Sequence, residues 1–310
     1  PFNMTLPNRK ILCTLLCLLA GTLFAVCLQA CDAKEPSSEN QDAEIESPII
    51  ANDLSNQKVT AIAEDAQGHI WIGTFRGLNR YDVHDYHQYF CTDDSLGLPD
   101  NQITHLLRDS KNRFWVGTVN GVCLYTDKDN FRIIPVEADN KNIRQILEDR
   151  NGRIFLNTGF QLYAYHPETE KITCVLPDIS SGHTFYAQCH IAPDNNLWVM
   201  TAVNLYCYDL STLQLKETVA LSGYPYYSYL HNNELWITGN HTLSIFDTRT
   251  RSFKPLPQPI ARNTTLCNAD IVYIHPYGNN SLLLNTARHG MFYYNPGTGS
   301  VTRQDENGFP

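Results

Sequence analysis

Residues able to hydrogen-bond or stack on a ligand recur at one position of a repeated pattern, five residues after a recurrent Trp or its replacement. Arg, Asn and His side chains can hydrogen-bond polar groups of a ligand, and a Phe ring can stack on an apolar face. The position varies between copies while the frame around it repeats, which is typical of a recognition surface on a fixed scaffold. It carries Arg76, Asn120, Phe160, Val203, His241 and Arg288. We predict that five of these bind ligand, with ordinary solvated loop residues as the open alternative: Arg76, Asn120, Phe160, His241 and Arg288.

The sequence carries no arrangement typical of a catalytic or metal site. Gly73 and Gly77 belong to the repeat, so no phosphate-binding or dinucleotide-binding glycine motif remains. Histidines suited to acid–base chemistry are scattered, without a His-x-Glu or paired-carboxylate spacing beside them: His190, His231, His275 and His289. We therefore predict that the chain is not an enzyme and holds no metal and no cofactor.

The cysteines give no support to zinc or thioredoxin-like chemistry, because none of those beyond the N-terminal segment forms a C-x-x-C pair. Cys189 and Cys207 are the nearest-spaced pair for a disulfide. Cys123 and Cys207 fall on strand-like runs, where a free cysteine is usually a small buried apolar residue. The disulfide status of these residues stays open at this point: Cys91, Cys123, Cys174, Cys189, Cys207 and Cys267.

Composition favours an all-β protein and disfavours a nucleic-acid partner. Of the 310 residues, 18% are charged and 11% are aromatic, and there are 17 Tyr and 13 Phe but only 3 Met. This mixture favours half-buried strands over helices. The net charge of −9 and the absence of a basic run after residue 10 disfavour a phosphate-binding surface.

The N-terminus predicts export. Arg9 and Lys10 precede an almost uninterrupted apolar stretch that ends at Ala30, directly before Cys31. Residues 1–31 are therefore a signal peptide or membrane anchor, with cleavage after Ala30, retention, or lipidation of Cys31 as open fates. All three fates predict that the remainder of the chain lies in the periplasm or cell envelope. The N-terminal segment is then the only part expected to contact the membrane. Residues 32–56, which are acidic and Ser-rich, are predicted to be a flexible linker.

From residue 57 onward the chain repeats a pattern of roughly 40 residues. Two copies align without a gap, VTAIAEDAQGHIWIGTFRGLNRYD from Val59 and ITHLLRDSKNRFWVGTVNGVCLY from Ile103. Later copies diverge, and Ala192 replaces the turn Asp in the fourth. The predicted units lie near 59–90, 103–134, 143–174, 186–217, 226–254 and 271–303.

Each copy predicts four short strands, the first two joined by an Asp-x-x-Gly turn. Four strands in this length are typical of one blade of an all-β propeller, in which the Trp fills the wedge between blades. About six blades are visible, so we expect an incomplete seven-bladed propeller. The recurring frame residues are predicted to be structural: Asp65, Gly68, Trp71, Gly73, Thr74, Tyr81, Asp109, Trp115, Gly117, Thr118, Tyr125, Asp149, Gly152, Trp198 and Trp236.

The repeat resembles the two-component regulator propeller repeat of exported sensor regions in hybrid two-component systems. Two lead-in segments add to the resemblance, LGLPDNQI from Leu96 and DENGFP from Asp305. The resemblance covers residues 57–310 and implies the N-terminal fragment of an extracytoplasmic sensor that recognises a glycan-derived oligosaccharide to regulate polysaccharide utilisation. It also implies a homodimer formed through the exported region. The kinase, receiver and DNA-binding parts of that family are not recognisable in this chain.

Two other functional classes stay open. Streptogramin lyases resemble this repeat and act through a His and a Glu with a divalent metal, a pairing that does not stand out here. A propeller can also serve as a scaffold that offers one face to another protein.

Overall fold

The structure is a computed structural model that describes residues 48–92, 97–126, 129–179, 187–278 and 280–304. The predicted signal segment with Cys31, the linker up to residue 47, Leu96 and the lead-in from Asp305 lie outside the described residues. The described residues form two compact units, one ending at Ile143 and the other beginning at Arg144.

Unit 1 contains two antiparallel sheets whose strands follow chain order. Blade 1 is made of β2 (Val59–Glu64), β3 (Ile70–Thr74), β4 (Gly77–Tyr81) and β5 (Tyr86–Tyr89), with β1 (Ile49–Ala51) added beside β5. Blade 2 is made of β6 (Ile103–Arg108), β7 (Phe114–Thr118), β8 (Gly121–Tyr125) and β9 (Phe131–Ile134).

Unit 2 contains four sheets of the same design. Blade 3 is made of β10 (Gln145–Glu148), β11 (Ile154–Asn157), β12 (Leu162–His166) and β13 (Lys171–Leu176). Blade 4 is made of β14 (Gln188–Ile191), β15 (Asn196–Met200), β16 (Asn204–Asp209) and β17 (Leu215–Ala220). Blade 5 is made of β18 (Pro225–His231), β19 (Glu234–Gly239), β20 (Thr242–Asp247) and β21 (Ser252–Lys254). Blade 6 is made of β22 (Ile271–Tyr277), β23 (Ser281–Thr286), β24 (Gly290–Asn295) and β25 (Ser300–Arg303).

Helical structure is confined, within the described residues, to the connection between blades 5 and 6. That connection holds α1 (Gln258–Ala261) and a 3₁₀ turn at Leu266–Asn268. The six four-stranded sheets confirm the predicted all-β propeller fold class.

Strand β1 differs from the sequence expectation, because it lies within the segment predicted to be a linker. Ile49 pairs with Gln88 and Ala51 pairs with Tyr86, antiparallel to β5. This pairing gives the outer edge of blade 1 a fifth strand and removes the unpaired backbone edge of β5. Residues 49–51 therefore belong to the sheet of blade 1.

The Asp-x-x-Gly turn forms because one carboxylate organises the hairpin backbone. Asp65 Oδ1 accepts hydrogen bonds from the backbone N–H groups of Gln67 and His69, both at 2.9 Å. Gly68 adopts φ of 86°, a region that glycine enters without strain. Asp109 and Asp149 organise the corresponding turns of blades 2 and 3 in the same way.

The recurrent Trp is a core residue with a satisfied polar group in blades 1 and 2. Trp71 is fully buried, its Nε1 donates to Asp65 Oδ2 at 2.8 Å, and its ring stacks on Phe114 of blade 2 at 4.9 Å. Trp115 donates to Asp109 Oδ2 at the same distance. One Asp therefore both closes the turn and pairs with the indole that packs between the blades.

Packing and hydrogen bonding explain why Gly and Thr recur two and three residues after the Trp. A Cβ on Gly73 would lie 2.5 Å from Ile103 Cγ2 at the start of blade 2, so only glycine allows this close approach. Thr74 Oγ1 donates to Gly77 O at 2.8 Å across the next hairpin, and Thr118 repeats this bond with Gly121 O at 2.9 Å. The repeat thus encodes contact between sheets as well as hairpins.

The structure rules out the nearest-spaced cysteine pair as a disulfide. Cys189 pairs across β14 and β15 with Val199, whereas Cys207 pairs across β15 and β16 with Trp198. Adjacent residues of a strand point to opposite faces, so the two thiols lie on opposite faces of blade 4. Both are free and buried, and burial raises the pKa of Cys189 to about 12 and, as the largest cause, that of Cys207 to about 11.

Candidate functional site

The predicted ligand-binding residues all lie in the hairpin between the second and third strands of their own blades. We call this the hairpin end of a blade. Arg76, Asn120, His241 and Arg288 are exposed there, and Phe160 is partly buried. Arg76 and Asn120 belong to unit 1, and the other three belong to unit 2.

The hairpin of blade 1 carries an exposed aromatic side chain beside its predicted arginine. Phe75 precedes Arg76, and the Lys58 ammonium lies 3.5 Å from the Phe75 ring centroid, a cation–π contact. Arg76 N donates to Thr74 Oγ1 at 3.1 Å, which fixes the hairpin backbone while the side chain stays exposed. This hairpin therefore presents positive charge and an aromatic edge.

His241 is the predicted residue with the most developed surroundings. It lies between β19 and β20 with φ of 51°, and its side chain is 64% exposed. Asp270, which directly precedes β22, accepts from His241 N at 2.8 Å and lies 3.1 Å from His241 Nδ1 through the same oxygen. Ala287 N donates to Asp270 O at 2.9 Å, which places the hairpin holding Arg288 beside this carboxylate. Asp270 therefore connects the hairpin ends of blades 5 and 6.

Three exposed tyrosines, which we call the tyrosine cluster, belong to the same region. Tyr224 is 80% exposed, and Tyr226 and Tyr273 are each 39% exposed. Pro225 of β18 pairs with Gly239, and Ile271 of β22 pairs with Thr286, so these strands begin at the hairpin end of their blades.

Hydrogen bonds tie the tyrosine cluster to the His241 hairpin. Asn240 N donates to Gly223 O at 3.0 Å, which holds the residue before Tyr224 against the turn. Tyr226 Oη donates to Ile271 O at 3.2 Å, one residue beyond Asp270. Burial, together with the charge of Asp270, raises the pKa of Tyr226 above its usual value. Its hydroxyl hydrogen is already donated to Ile271 O, and the hydroxyl oxygen is left to accept a hydrogen bond.

A buried network fixes the strands beneath the cluster. Gln188 Oε1 accepts from Ser228 N at 2.7 Å and from Ser228 Oγ at 2.9 Å. His190 Nε2 lies 2.7 Å from the same hydroxyl, and burial lowers the pKa of His190 to about 4. The Tyr273 ring packs on Tyr227 at 5.1 Å. The first strands of blades 4, 5 and 6 therefore form a preorganised platform.

This arrangement suits the binding of a neutral polyhydroxylated ligand. Exposed phenol rings offer apolar faces and polar tips, and the His241–Asp270 pair offers a donor and an acceptor between the hairpin end of blade 5 and the start of blade 6. Among the described residues, no group of three or more His, Cys, Asp and Glu side chains is close enough to hold a metal ion.

Sequence reasoning predicted His241 and Arg288 as ligand-binding residues but did not include the neighbours that the structure places beside them, Asp270 and Tyr273. Asp270 directly precedes the first strand of blade 6, and Tyr273 lies in that strand. Their proximity to His241 of blade 5 therefore depends on how blades 5 and 6 pack. One sequence feature could have indicated this surface, the run Tyr224-Pro-Tyr-Tyr-Ser-Tyr229. Strand pairing alone does not require four tyrosines in six residues.

Within the described ranges, no helix has the length and apolar character needed to cross a membrane.

Comparison with known proteins identifies the repeat. Residues 53–76 and 97–120 match the family described as two component regulator propeller. No curated protein sequence matches the chain.

Solved structures share the fold. The extracellular domain of a hybrid two component system from B. thetaiotaomicron matches with a TM-score of 0.66 and 18% identity, over 84% of this chain and 37% of that chain. A streptogramin B lyase structure matches with a TM-score of 0.60 and 18% identity, over 84% of this chain and 88% of that chain. Virginiamycin B lyase from Staphylococcus aureus matches with a TM-score of 0.58 and 15% identity, over 79% of this chain and 83% of that chain.

At these identities the similarity shows the fold alone, and the chain spans only 37% of the length of the hybrid-system domain. The matched segments and the six-bladed architecture agree with each other. Residues 53–76 and 97–120 therefore match the two component regulator propeller repeat, within a chain whose sheets form an all-β propeller fold.

Proposed function

We propose that this chain is the ligand-sensing propeller of an extracytoplasmic two-component sensor, and that it binds a glycan-derived oligosaccharide to regulate polysaccharide utilisation. The matched repeats and the fold shared with a hybrid-system extracellular domain support the sensor role. In this proposal residues 1–31 export the chain, and Cys31 is available for lipid anchoring. Ligand binding here regulates a partner kinase and involves no turnover.

The observation that carries the ligand class is the tyrosine cluster beside the His241–Asp270 pair. Tyr224 is 80% exposed next to the His241 hairpin, where His241 and the carboxylate of Asp270 offer a hydrogen-bond donor and an acceptor. An aromatic ring that is exposed to solvent contributes little to the core, and such rings are typical of surfaces that recognise a ligand or partner. Sugars match this combination, because their C–H faces pack on rings while their hydroxyls take hydrogen bonds.

The remaining predicted residues extend this proposal. Arg288 follows Ala287, whose backbone N–H donates to Asp270 O, and its guanidinium could pair with an acidic group on the ligand. Phe160, Arg76 and Asn120 sit at the equivalent position of their own blades and remain predictions, as does homodimer formation through the exported region.

Substitution of the most exposed tyrosine tests the site. We expect Tyr224→Ala to weaken oligosaccharide binding about ten-fold in calorimetric titration, equivalent to about 1.4 kcal/mol, because the ring is lost from the contact surface. The melting temperature should stay unchanged, since Tyr224 contributes little to the core.

Leu215→Ala is the matched control, because Leu215 is 52% exposed on the outer strand of blade 4. Its affinity should equal that of the wild type. Equal affinities for Tyr224→Ala and the wild type would remove the tyrosine cluster from the site.

The shared fold with lyases makes turnover a necessary measurement. Recovery of the oligosaccharide intact after long incubation with the chain and a divalent metal supports a sensor. Release of a cleaved product would replace the sensor proposal with an enzymatic one.

A further inference from the structure

A cavity of about 360 Å³ opens between blades 5 and 6 at the ends opposite the hairpins. His231 and Asn232 line it from the first turn of blade 5, and Asn280 lines it from the corresponding turn of blade 6. Glu234 lies at the start of β19, and the His241 hairpin follows the other end of that strand. A strand of this length separates the two regions by about 20 Å, so the cavity is distinct from the tyrosine cluster.

One residue that lines the cavity carries a buried hydrogen-bond donor with no partner among the described residues. Trp236 is only 1% exposed and lines the cavity, and its Nε1 has no hydrogen-bond partner among the described residues. The equivalent indoles of blades 1 and 2 donate to Asp65 and Asp109, both at 2.8 Å. A buried donor left unpaired costs about 1–3 kcal/mol, so a bound acceptor here is favourable.

The donor is unpaired because another residue has replaced the turn aspartate. In blade 1, Ala63 pairs with Trp71 and Asp65 follows two residues later. In blade 5, Tyr229 pairs with Trp236, so His231 occupies the position of the aspartate. The His231 ring turns to Asn280, with Nε2 2.7 Å from Asn280 Oδ1.

Blade 4 shows that losing the aspartate does not by itself make a cavity. Ala192 occupies the aspartate position there, and Trp198 Nε1 is likewise unpartnered among the described residues. Trp198 is fully buried and does not line the cavity. The two tryptophans share the same missing partner and the same burial, and they differ in that only Trp236 borders the cavity.

The cavity wall carries balanced charges. The Lys254 ammonium lies 2.6 Å from Asp247 Oδ2 and 3.0 Å from Glu234 Oε1. Arg249 adds a second cation, so two cationic and two anionic side chains line the cavity. An anionic ligand would meet the two carboxylates and a cationic ligand would meet Lys254 and Arg249. A neutral ligand with many hydroxyls can instead donate to the carboxylates and accept from the cations.

The rest of the wall is apolar. Leu282, Tyr294 and three prolines surround the indole, and the Trp236 and Tyr294 rings lie 5.8 Å apart. The volume lies within the range of small-molecule sites, which combine apolar walls with a few placed polar groups.

We propose that this cavity is a second binding site, which takes one neutral sugar unit whose hydroxyl accepts from Trp236 Nε1. Other hydroxyls bond to Glu234 and Lys254, and the C–H face packs on Tyr294. The site stands independently of the tyrosine cluster, because no residue is shared between them.

The test observes the indole N–H groups directly. The ¹⁵N-labelled full chain is titrated with glucose, galactose, mannose and N-acetylglucosamine, and the indole resonances of the 4 Trp are followed. We expect one of these sugars to shift the Trp236 resonance saturably while the Trp198 resonance stays in place. Absence of a Trp236 shift with every sugar would mean that only water occupies the cavity, and would overturn the proposal.

Two phenylalanine variants provide the matched comparison. Trp236→Phe removes the N–H and should weaken sugar binding about ten-fold, the loss expected for one hydrogen bond. Trp198→Phe removes an equally unpaired N–H outside the cavity and should bind as the wild type does. Equal weakening by both variants, or by neither, would contradict the assignment.

A rim variant keeps the test decisive if Trp236→Phe fails to fold. Glu234→Ala removes a hydroxyl acceptor from a half-exposed position and should weaken binding several-fold; unchanged affinity would overturn the proposal. Tyr224→Ala should leave the Trp236 shift intact, which separates failure of this site from failure of the hairpin-end site.

Discussion

Three partly buried histidines lie on the first strands of blades 2, 4 and 6. Burial lowers the pKa of His105 and of His190 to about 4 in each case, and lowers that of His275 below its ordinary value of 6.5. The folded state therefore holds these rings neutral at a pH where the unfolded chain already protonates them. Conformational stability is linked to pH through this difference.

This linkage predicts a loss of stability as the pH falls from 6.5 to 4. Within that window the unfolded state binds more protons, at up to about 1.4 kcal/mol per pH unit for each histidine. Asp82 and Asp247, with pKa values lowered to about 2 chiefly by hydrogen bonds, add their losses only below pH 3.8. Urea unfolding at a series of pH values measures the slope.

The double variant His105→Gln, His190→Gln should flatten this slope, whatever its effect on stability at pH 7. The exposed His84→Gln is the control and should keep the wild-type slope. An undiminished slope in the double variant would show that these rings are not the titrating groups.

At the scale of elements, the close approach of an isoleucine side chain to the second strand of a blade depends on glycine at the next-to-last position of that strand. The Cβ that Gly73 lacks would approach Ile103 Cγ2 to 2.5 Å, and the one that Gly117 lacks would approach Ile143 Cγ2 to 3.0 Å. Both neighbours are β-branched side chains with little freedom to move. The two glycines thus make the same contact with different tolerances.

We expect Gly73→Ala to lower the free energy of unfolding of the chain by about 1–3 kcal/mol, the usual cost of overpacking a core. Gly117→Ala should cost less, because its neighbour must yield by a smaller distance. Chemical denaturation of both variants measures the difference. An equal effect, or a larger one for Gly117→Ala, would contradict the packing explanation.

The repeat made the strands and blades predictable, because Asp65, Gly68 and Trp71 act on neighbours within one hairpin. The proposed binding surface was predictable only in part. His241 could be found from its place in the repeat, but its partner Asp270 is 29 residues away and is brought close by packing of the next blade. The cavity at Trp236 was not predictable, since it arises from the missing aspartate and the turn at Asn280 together.

At the scale of the whole molecule, the two binding proposals occupy opposite ends of blades 5 and 6. The tyrosine cluster lies at the hairpin ends and the Trp236 cavity lies about 20 Å away at the other ends. A ligand that engaged either end would stabilise the folded state by an amount that grows with the logarithm of its concentration relative to its dissociation constant. Stability is therefore a direct report of recognition for this chain.

The central claim, that this propeller recognises an oligosaccharide, is tested most directly by thermal unfolding of the chain against a panel of oligosaccharides from plant, animal and microbial glycans. The account predicts that one structural class raises the melting temperature in a dose-dependent way, with about 2.7 kcal/mol of added stability at about one hundred times its dissociation constant. An unchanged melting temperature across the whole panel would contradict it.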